Sequence, residues 1–459
     1  MLILLSVFFL GQWFAVLAER NSRVALPRQE TVYEAVVLSE PVQHGKVIQC
    51  DLYVMAGVKS GKVRAAILRD TLTQRYLRLH VGDALRAQSL LEQPDAPSSF
   101  QSSQNHFDYG RWLRTHDYRA RTYIPYRNWS KVALPLSSLP LAERLRLRAV
   151  KTQHRLQASL RRHAIGSDEL GVIQAMTLGD RSMLSRELRD TYSIAAASHV
   201  LALSGLHLTI LYAVLLLLLV PFRHRWWVQP LALSTVWVYV WVVGMSPSVV
   251  RSATMLTIYG LFSLLHRRHM PLNVLSLAAI VMLLVHSYSL FDVGFQLSFL
   301  SIVAILLFVP LFTNLVRNTF VARWHLTNSL YGLLAVSCAA QLGTAPLVAY
   351  YFGRISCYFL LTNLLAIPLV TIILWLALAF FLMGWWPLAQ SWLAACLDIV
   401  AHWLNCFLAW VASLPGASVE GVAISGWQVV TAYLLVLLFY TFWRLFDRKL
   451  HRQNHLVAQ

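Results

Sequence analysis

The chain has 459 residues, 57% of them hydrophobic and only 13% charged, with a mean hydropathy of +0.54. Ordinary soluble domains carry roughly 25% charged residues, so this composition excludes that class. The many apolar runs of bilayer-spanning length predict a multi-span membrane protein. The net charge is +18 and unevenly placed: residues 19–165 hold 24 Lys/Arg against 12 Asp/Glu, and the remainder holds 15 against 9. A basic polar region attached to an apolar body points to an anionic partner, lipid headgroup or nucleic acid; the bland alternative is a surface kept soluble by arginines.

In chain order, Leu2–Ala18 reads as an N-terminal membrane helix, taken as residues 1–20, or as an uncleaved signal lacking a basic leader. Residues 24–135 read as β-rich, with Gly turns between "TVYEAVVL", "GKVIQCDLYVM", "GKVRAAIL" and "QRYLRLHVGDALRA". In the last of these Leu77, Leu79 and Val81 alternate with Arg78 and His80, as in a half-buried strand. About five such strands suit a small OB-like barrel. A Ser-rich loop (Ala96–Asn105) and a short helix around "FDYGRWLRTHDY" follow. Residues 140–195 form a basic segment whose apolar positions recur at helical spacing, an amphipathic helix for a membrane surface or for the barrel.

From 196 to 446 the chain is apolar, with spans expected near 199–220, 228–244, 250–265, 271–287, 293–312, 330–350, 357–383, 388–412 and 427–443, and a basic tail at 447–459. The positive-inside rule gives orientation. With the β-rich region outside, the cytoplasmic turns carry Arg223 and Arg225, Arg267 and Arg268, Arg317 and Arg323, and the tail residues Arg444, Arg448, Lys449 and Arg452. The opposite turns carry only Arg251 and Arg354. The predicted fold is therefore a multi-span α-helical membrane protein with an extracytoplasmic β-rich domain of OB-like barrel type.

Polar residues at membrane depth are costly and mark function. The stretch "SHVLALSGLHLTI" (Ser198–Ile210) carries several. Read as one helix, it stacks Ser198, Ala202, Gly205 and Thr209 as a narrow packing stripe and turns His199, Ser204 and His207 to other sides. The two histidines lie about 12 Å apart on such a helix, too far to share one metal. No G-x-S-x-G elbow or neighbouring acid supports a serine nucleophile. Packing, the lining of a polar path and catalysis thus stand as alternatives. Asp292 suits the N-cap of the following helix. Gly343 and Pro346 suggest a kinked or broken helix. Asp398 and His402, one turn apart, suit pairing with each other. Arg251, Gln296, Arg354 and Asn363 form a candidate polar seam through the apolar body. The five cysteines (Cys50, Cys338, Cys357, Cys396, Cys406) have neither metal-ligand spacing nor a disulfide framework.

These blocks resemble the competence domain of ComEC-type DNA-uptake proteins. "LGDRSMLSRELRDTYSIAAASHVLALSGLHLTI" resembles that family's S-H-x-x-A-x-S-G-L-H entry segment. "SPSVVRSATM", "PLNVLSLAAI", "LFDVGFQLSFLSIVAILL" and "TAPLVAYYFGRISCYFLLTNLLAIPLV" follow in the family's order. "GDALRAQ" and "FDYGRWLRTHDYRARTYI" resemble the end of its OB-type domain. The resemblance implies an inner-membrane channel that passes single-stranded DNA into the cytoplasm during natural transformation. It marks His199, Ser204, Gly205, His207, Arg251, Asp292, Gly294, Gln296 and Asn363, to which Arg354 is added as a translocation candidate. Arg78, Arg111, Arg114, Arg119 and Arg121 are the DNA-binding candidates, with Tyr76, Tyr109, Trp112 or Tyr118 to stack on bases. Many family members continue into a metallo-β-lactamase-like nuclease; no H-x-H-x-D-H motif occurs here, so no nuclease activity, no catalytic residue, no metal and no cofactor are expected. Without a G-x-x-x-x-G-K-[ST] loop, energy is expected from a separate ATP-driven motor or a gradient. Expected partners are single-stranded DNA, membrane lipids, a separate DNA receptor and a nuclease on another chain, with homo-oligomerisation left open. The rival readings are a secondary transporter of a small anionic solute, using Pro346 and Asn363, and an intramembrane enzyme using Ser204 or His207.

Overall fold

The structure is a computed structural model that describes Trp13 and residues 26–57, 60–70, 74–94, 109–133, 139–222, 225–264, 271–316 and 324–457. The N-terminal helix, the Ser-rich loop and the turns bearing Arg223, Arg267, Arg268, Arg317 and Arg323 lie outside these residues, as do the side chains of Arg111, Arg448, Lys449 and Arg452. The chain divides into two units, one of Met1–Ala158, Val238–Ser246 and Ala279–Asp292, the other of Ser159–Trp237, Pro247–Ala278 and Val293–Gln459.

The first unit is built on eight strands: β1 (Thr31–Val37), β2 (Val42–His44), β3 (Val47–Ala56), β4 (Gly61–Leu68), β5 (Ala84–Ser89), β6 (Leu91–Glu92), β7 (Tyr118–Ile124) and β8 (Trp129–Val132). They pair in the order β6-β7-β4-β3-β1-β5-β8, with β2 on β3. Only Leu90 separates β5 from β6, so one stretch of chain pairs with β1 at one end and with β7 at the other. That curls the sheet into the half-barrel expected of an OB-like domain. Alternation decides what faces inward: along "GKVRAAIL", Gly61, Val63, Ala65 and Ile67 are buried while Lys62, Arg64, Ala66 and Leu68 are only half-buried. The inner side chains join Tyr33, Ile48, Cys50, Leu52, Leu85 and Trp129 in one apolar core. Helix α1 (Tyr109–Thr115) precedes β7. Helix α2 (Leu141–Arg161) buries Leu147 against Val36, Leu38 and Ala84 in a second, smaller core.

One expected strand is not there. Arg75–Arg78 form a 3-10 turn, Leu77 is exposed, and β5 begins only at Ala84. A tight turn decides this: Asp83 N–H donates to the His80 carbonyl, His80 N–H donates to the Asp83 carboxylate at 2.7 Å, and Gly82 has φ +90. That left-handed geometry suits glycine and breaks the alternation at its second half.

The second unit is helical. Its elements are α3 (Ser167–Leu178), α4 (Arg186–Ile194), α5 (Gly205–Leu218), α6 (Val228–Val242), α7 (Pro247–Leu264), α8 (Pro271–Val285), α9 (Val293–Val316), α10 (His325–Phe352), α11 (Phe359–Leu382), α12 (Pro387–Ser413) and α13 (Gly426–Val457), with a small ribbon of β9 (Arg354–Ser356) and β10 (Ser418–Glu420). The last residues of α6 and of α8 belong to the first unit. Among the described residues five helices are long and apolar enough to cross a membrane: α9, α10, α11, α12 and the Gly426–Leu445 part of α13. The chain is thus a multi-span helical membrane protein. Of the four other expected spans, α5, α6 and α8 are apolar but short at 14, 15 and 15 residues, and α7 runs 18 residues. The expected span at 271–287 ends at Val285, and His286 opens a 3-10 turn.

Of the kinked or broken helix expected at Gly343 and Pro346 the break is corrected, and so is the Asp398–His402 pair. Helix α10 runs unbroken through Pro346, because neighbouring helices take over the polar groups a proline frees in lipid. The Tyr433 hydroxyl donates to the Gly343 carbonyl at 3.0 Å. Asp398 and His402 do not bond each other. Asp398 accepts from Gly166 N–H at 2.9 Å, His402 pairs with Glu169 at 2.9 Å, and Asn405, next on that face, accepts from the Tyr192 hydroxyl at 2.8 Å. The polar stripe of α12 therefore docks α3 and α4.

Candidate nucleic-acid interface and membrane polar groups

The outer face of the half-barrel gathers charge and aromatic surface. Asp51 on β3, Arg64 on β4 and Arg121 on β7 are register neighbours across three strands. The buried Asp51 carboxylate accepts from Arg64 Nη1 at 2.7 Å and from the Tyr118 hydroxyl at 2.8 Å. Burial, with the Asp51 charge beside it, pushes the Tyr118 phenol up. The Lys62 ammonium stands 4.0 Å over the Tyr118 ring. Burial, with Arg146 nearby, pulls that ammonium below the usual lysine value. Arg119, Arg121 and Tyr123 alternate outward along β7, with Tyr123 51% exposed. From α1, Trp112 stacks between Tyr109, at 5.6 Å and 12°, and Tyr118, at 6.0 Å and 25°. Cations beside stacked rings are what a sequence-tolerant strand-binding surface combines.

The sequence candidates divide on this face. Arg119 and Arg121 lie on it, Arg121 paired to Glu92 at 3.0 Å and Arg119 reaching the Ser60 carbonyl. Arg114 is half-buried on α1. Arg78 is exposed on the 3-10 turn. Tyr76 and Tyr118 are both buried, the Tyr76 hydroxyl accepting from Arg69 at 2.9 Å and the Tyr118 ring covered by Lys62 and Trp112, so neither serves as a stacking platform. Lys62, Arg64 and Tyr123 were missed, although the outward alternation of Lys62 and Arg64 in "GKVRAAIL" carried the signal.

In the helical unit the expected helix over Ser198–Ile210 begins only at Gly205. Ser204 is its N-cap, in extended conformation, and His199 sits in the turn before it, its Nδ1 3.0 Å from the Ala196 carbonyl. The stripe of Ser198, Ala202, Gly205 and Thr209 therefore does not form. A serine three residues ahead of a side chain that reaches back is a helix start, and this outweighs the apolar run around it. His207 closes the box: its Nδ1 accepts from Ser204 N–H at 3.3 Å and lies 2.9 Å from Ser204 Oγ. That acceptor role puts the ring proton on Nε2, which is buried with no partner among the described residues. Gly205 packs on α7 so closely that a Cβ there would meet Ser252 Oγ at 2.8 Å. The Ser-Gly-x-His block and the residue after Arg251 are thereby brought together.

The other candidates are held by different partners. Tyr351 donates to Gln296 Oε1 at 3.1 Å. Arg354 is clamped by Ser193 Oγ at 2.8 Å and Glu420 at 2.7 Å. Asp292 directly precedes α9, at its N-cap position, and Gly294 lies in its first turn. Asn363 Oδ1 and Thr362 Oγ1 on α11 are buried without partners among the described residues, as are both amide atoms of Gln174 on α3. Helix α11 packs on both α3 and α5. Gln174, fully buried, was also missed; a lone amide in "GVIQAMTL" was the available signal.

A family model described as Competence protein matches residues 176–446, well over half of the chain. The chain belongs to the competence protein family. It is 30% identical over 263 residues to ComE operon protein 3 of Bacillus subtilis, covering 56% of this chain and 31% of that relative. It is 25% identical over 215 residues to the uncharacterised protein YcaI of Escherichia coli, covering 44% and 27%. An uncharacterised protein of Aquifex aeolicus is 31% identical over 188 residues, 41% of each chain. This chain thus spans well under half the length of these curated relatives. No solved structure matches it.

Proposed function

We propose that this member of the competence family forms an inner-membrane channel that passes single-stranded DNA into the cytoplasm during natural transformation. The outer face of the half-barrel carries the reading: Lys62, Arg64, Arg119 and Arg121 beside the stacked Tyr109 and Trp112 and the exposed Tyr123. These cations meet phosphates while the rings stack on bases, so the strand is held without regard to sequence. The β-rich unit faces outside, in keeping with the basic turns of the sequence on the other side. In the membrane body Gln174, His207, Thr362 and Asn363 offer polar atoms without partners among the described residues to a passing polyanion or its water. No bond is made or broken by this chain; a receptor, a motor and a nuclease on other chains supply capture, work and strand degradation.

Transformation frequency after deletion of the gene, with complementation by His207→Ala and Gln296→Ala, tests the channel. The wild type restores uptake and both variants fall well short of it at equal membrane abundance. Restoration by both variants overturns the assignment of these residues, and undiminished uptake in the deletion strain overturns the function. For the outer face, Trp112→Ala in the full chain weakens oligothymidylate binding by about 1–3 kcal/mol, the worth of one stacked base.

A further inference from the structure

Helix α2 carries a feature that the outer face does not use. Arg144, Arg148, Lys151 and Arg155 are all exposed. At 100° per residue they fall within about 60° of one another and extend over roughly 16 Å. They form a stripe of four cations along one face. At its Lys151–Arg155 end lies a cleft of about 270 Å³ lined by Lys151, His154 and Arg155 from α2 and by Glu40 and His80 from the sheet's loops, the rest of its lining being apolar. The Gly82 turn makes room for it: Lys151 Nζ lies 4.0 Å from where a Gly82 Cβ would stand. Glu40 is the one acidic residue of the lining, and it is taken up by His154 at 3.2 Å. Arg78 is exposed one residue before Leu79, which also lines the cleft.

We infer that this stripe and cleft are a phosphate track for single-stranded nucleic acid, separate from the outer face and continuing the same strand. This rests on the DNA reading above. The ligand is a polyanion: a linear row of four cations matches a chain of phosphates, whereas a cleft smaller than the ~300–1,000 Å³ of a drug-sized site does not enclose a whole small molecule. The imidazoles of His80 and His154 offer ring faces to a base beside the phosphates. Lipid is the less fitting occupant because of where α2 meets the turn between the apolar helices α6 and α7. Trp241 Nε1 donates to the Leu145 carbonyl at 3.0 Å, and a Gly244 Cβ would lie 4.0 Å from Gln153 Oε1. On the helical wheel Leu145 and Gln153 stand about 100° and 180° from Arg144, whereas Lys151 and Arg155 lie within about 20° of it and His154 about 80° to the other side. The cleft therefore opens away from the flank that meets the membrane turn.

The test uses the full chain in detergent, with fluorescent oligothymidylate as probe, titrated across salt. Each phosphate contact on a single strand adds about −0.7 to the slope of log affinity against log salt. Arg148→Gln/Lys151→Gln/Arg155→Gln is expected to make the slope shallower by about 2, while Arg148→Lys/Arg155→Lys keeps it. Trp112→Ala lowers affinity without altering the slope. A triple variant with the wild-type slope overturns the track and leaves the outer face standing. Wild-type protein that fails to bind oligothymidylate overturns both readings. Binding that phosphatidylglycerol vesicles compete away in the wild type, and that the triple variant makes insensitive to those vesicles, assigns the cleft to lipid and overturns the track. An unfolding midpoint for the triple variant equal to the wild type's confirms that the comparison reads binding.

Discussion

Two glycines on the same helix are expected to behave in opposite ways. At Gly343 an added Cβ would stand 2.6 Å from Ala304 Cβ and 2.7 Å from the Leu300 carbonyl oxygen, both on α9. The second of these is backbone and cannot swing aside, so α9 and α10 must part by several tenths of an ångström. Overpacking of this kind costs about 1–3 kcal/mol. At Gly332 an added Cβ meets nothing within 4 Å, and replacing a helical glycine with alanine stabilises by about 0.5–1 kcal/mol. The propensity gain is common to both positions, so Gly343→Ala should be less stable than Gly332→Ala by the overpacking cost, about 1–3 kcal/mol. Reversible unfolding of the purified protein in mixed detergent, followed by loss of helical dichroism, reads the difference. The two helices also carry the Gln296–Tyr351 hydrogen bond, so Gly343→Ala is expected to impair function where Gly332→Ala does not. Equal stability of the two variants would show that α9 and α10 do not approach at Gly343, and would refute the packing argument.

Cys50 lies in the half-barrel core, where burial, with Asp51 beside it, pushes its thiol up to about 12. In a variant retaining only that cysteine, maleimide at pH 8 should label the unfolded chain and spare the folded one; labelling of both at equal rates refutes the closed core. Asp117 and His286 pair at 2.8 Å, and this hydrogen bond lowers the Asp117 carboxyl and raises the His286 imidazole. The carboxylate's share of stability is present above its ordinary 3.8 and lost as pH falls through the lowered value; the imidazole's share is present below its ordinary 6.5 and lost as pH rises through the raised value. The melting difference between wild type and His286→Asn should therefore peak between those ordinary values and shrink above neutrality, a small effect because Asp117 is exposed. A difference that does not vary with pH removes the pair.

What the sequence made legible was periodicity. Strands β1, β3 and β4 follow from β-branched alternation between glycine turns, and α9 to α13 from apolar length. The half-barrel's closure was not legible, because it depends on Leu90 dividing one stretch of chain between two partners. The start of α5 was misread for a physical reason: hydropathy sees no difference between a membrane helix and the apolar turn that leads into it, whereas the Ser204–His207 box decides the boundary in a few atoms. The α12 stripe shows the same limit. Spacing put Asp398 beside His402, but tertiary packing offered Gly166 and Glu169, and the closer partners won.

The polar groups of the membrane body fall into two kinds, and the distinction bears on function. Arg354, Asp398 and His402 each bond a named partner on another element, so they act as the glue that replaces hydrophobic driving force between helices in lipid. Gln174, His207, Thr362 and Asn363 keep buried atoms without partners among the described residues. Each such atom costs about 1–3 kcal/mol, and at Gln174, Thr362 and Asn363 an apolar residue of similar shape would remove that cost without disturbing the packing. A helical body that merely anchored the half-barrel has no use for five such atoms on α11 and the two helices it packs against, α3 and α5. The channel proposed above does, because it must present hydrogen-bonding groups to what passes through it.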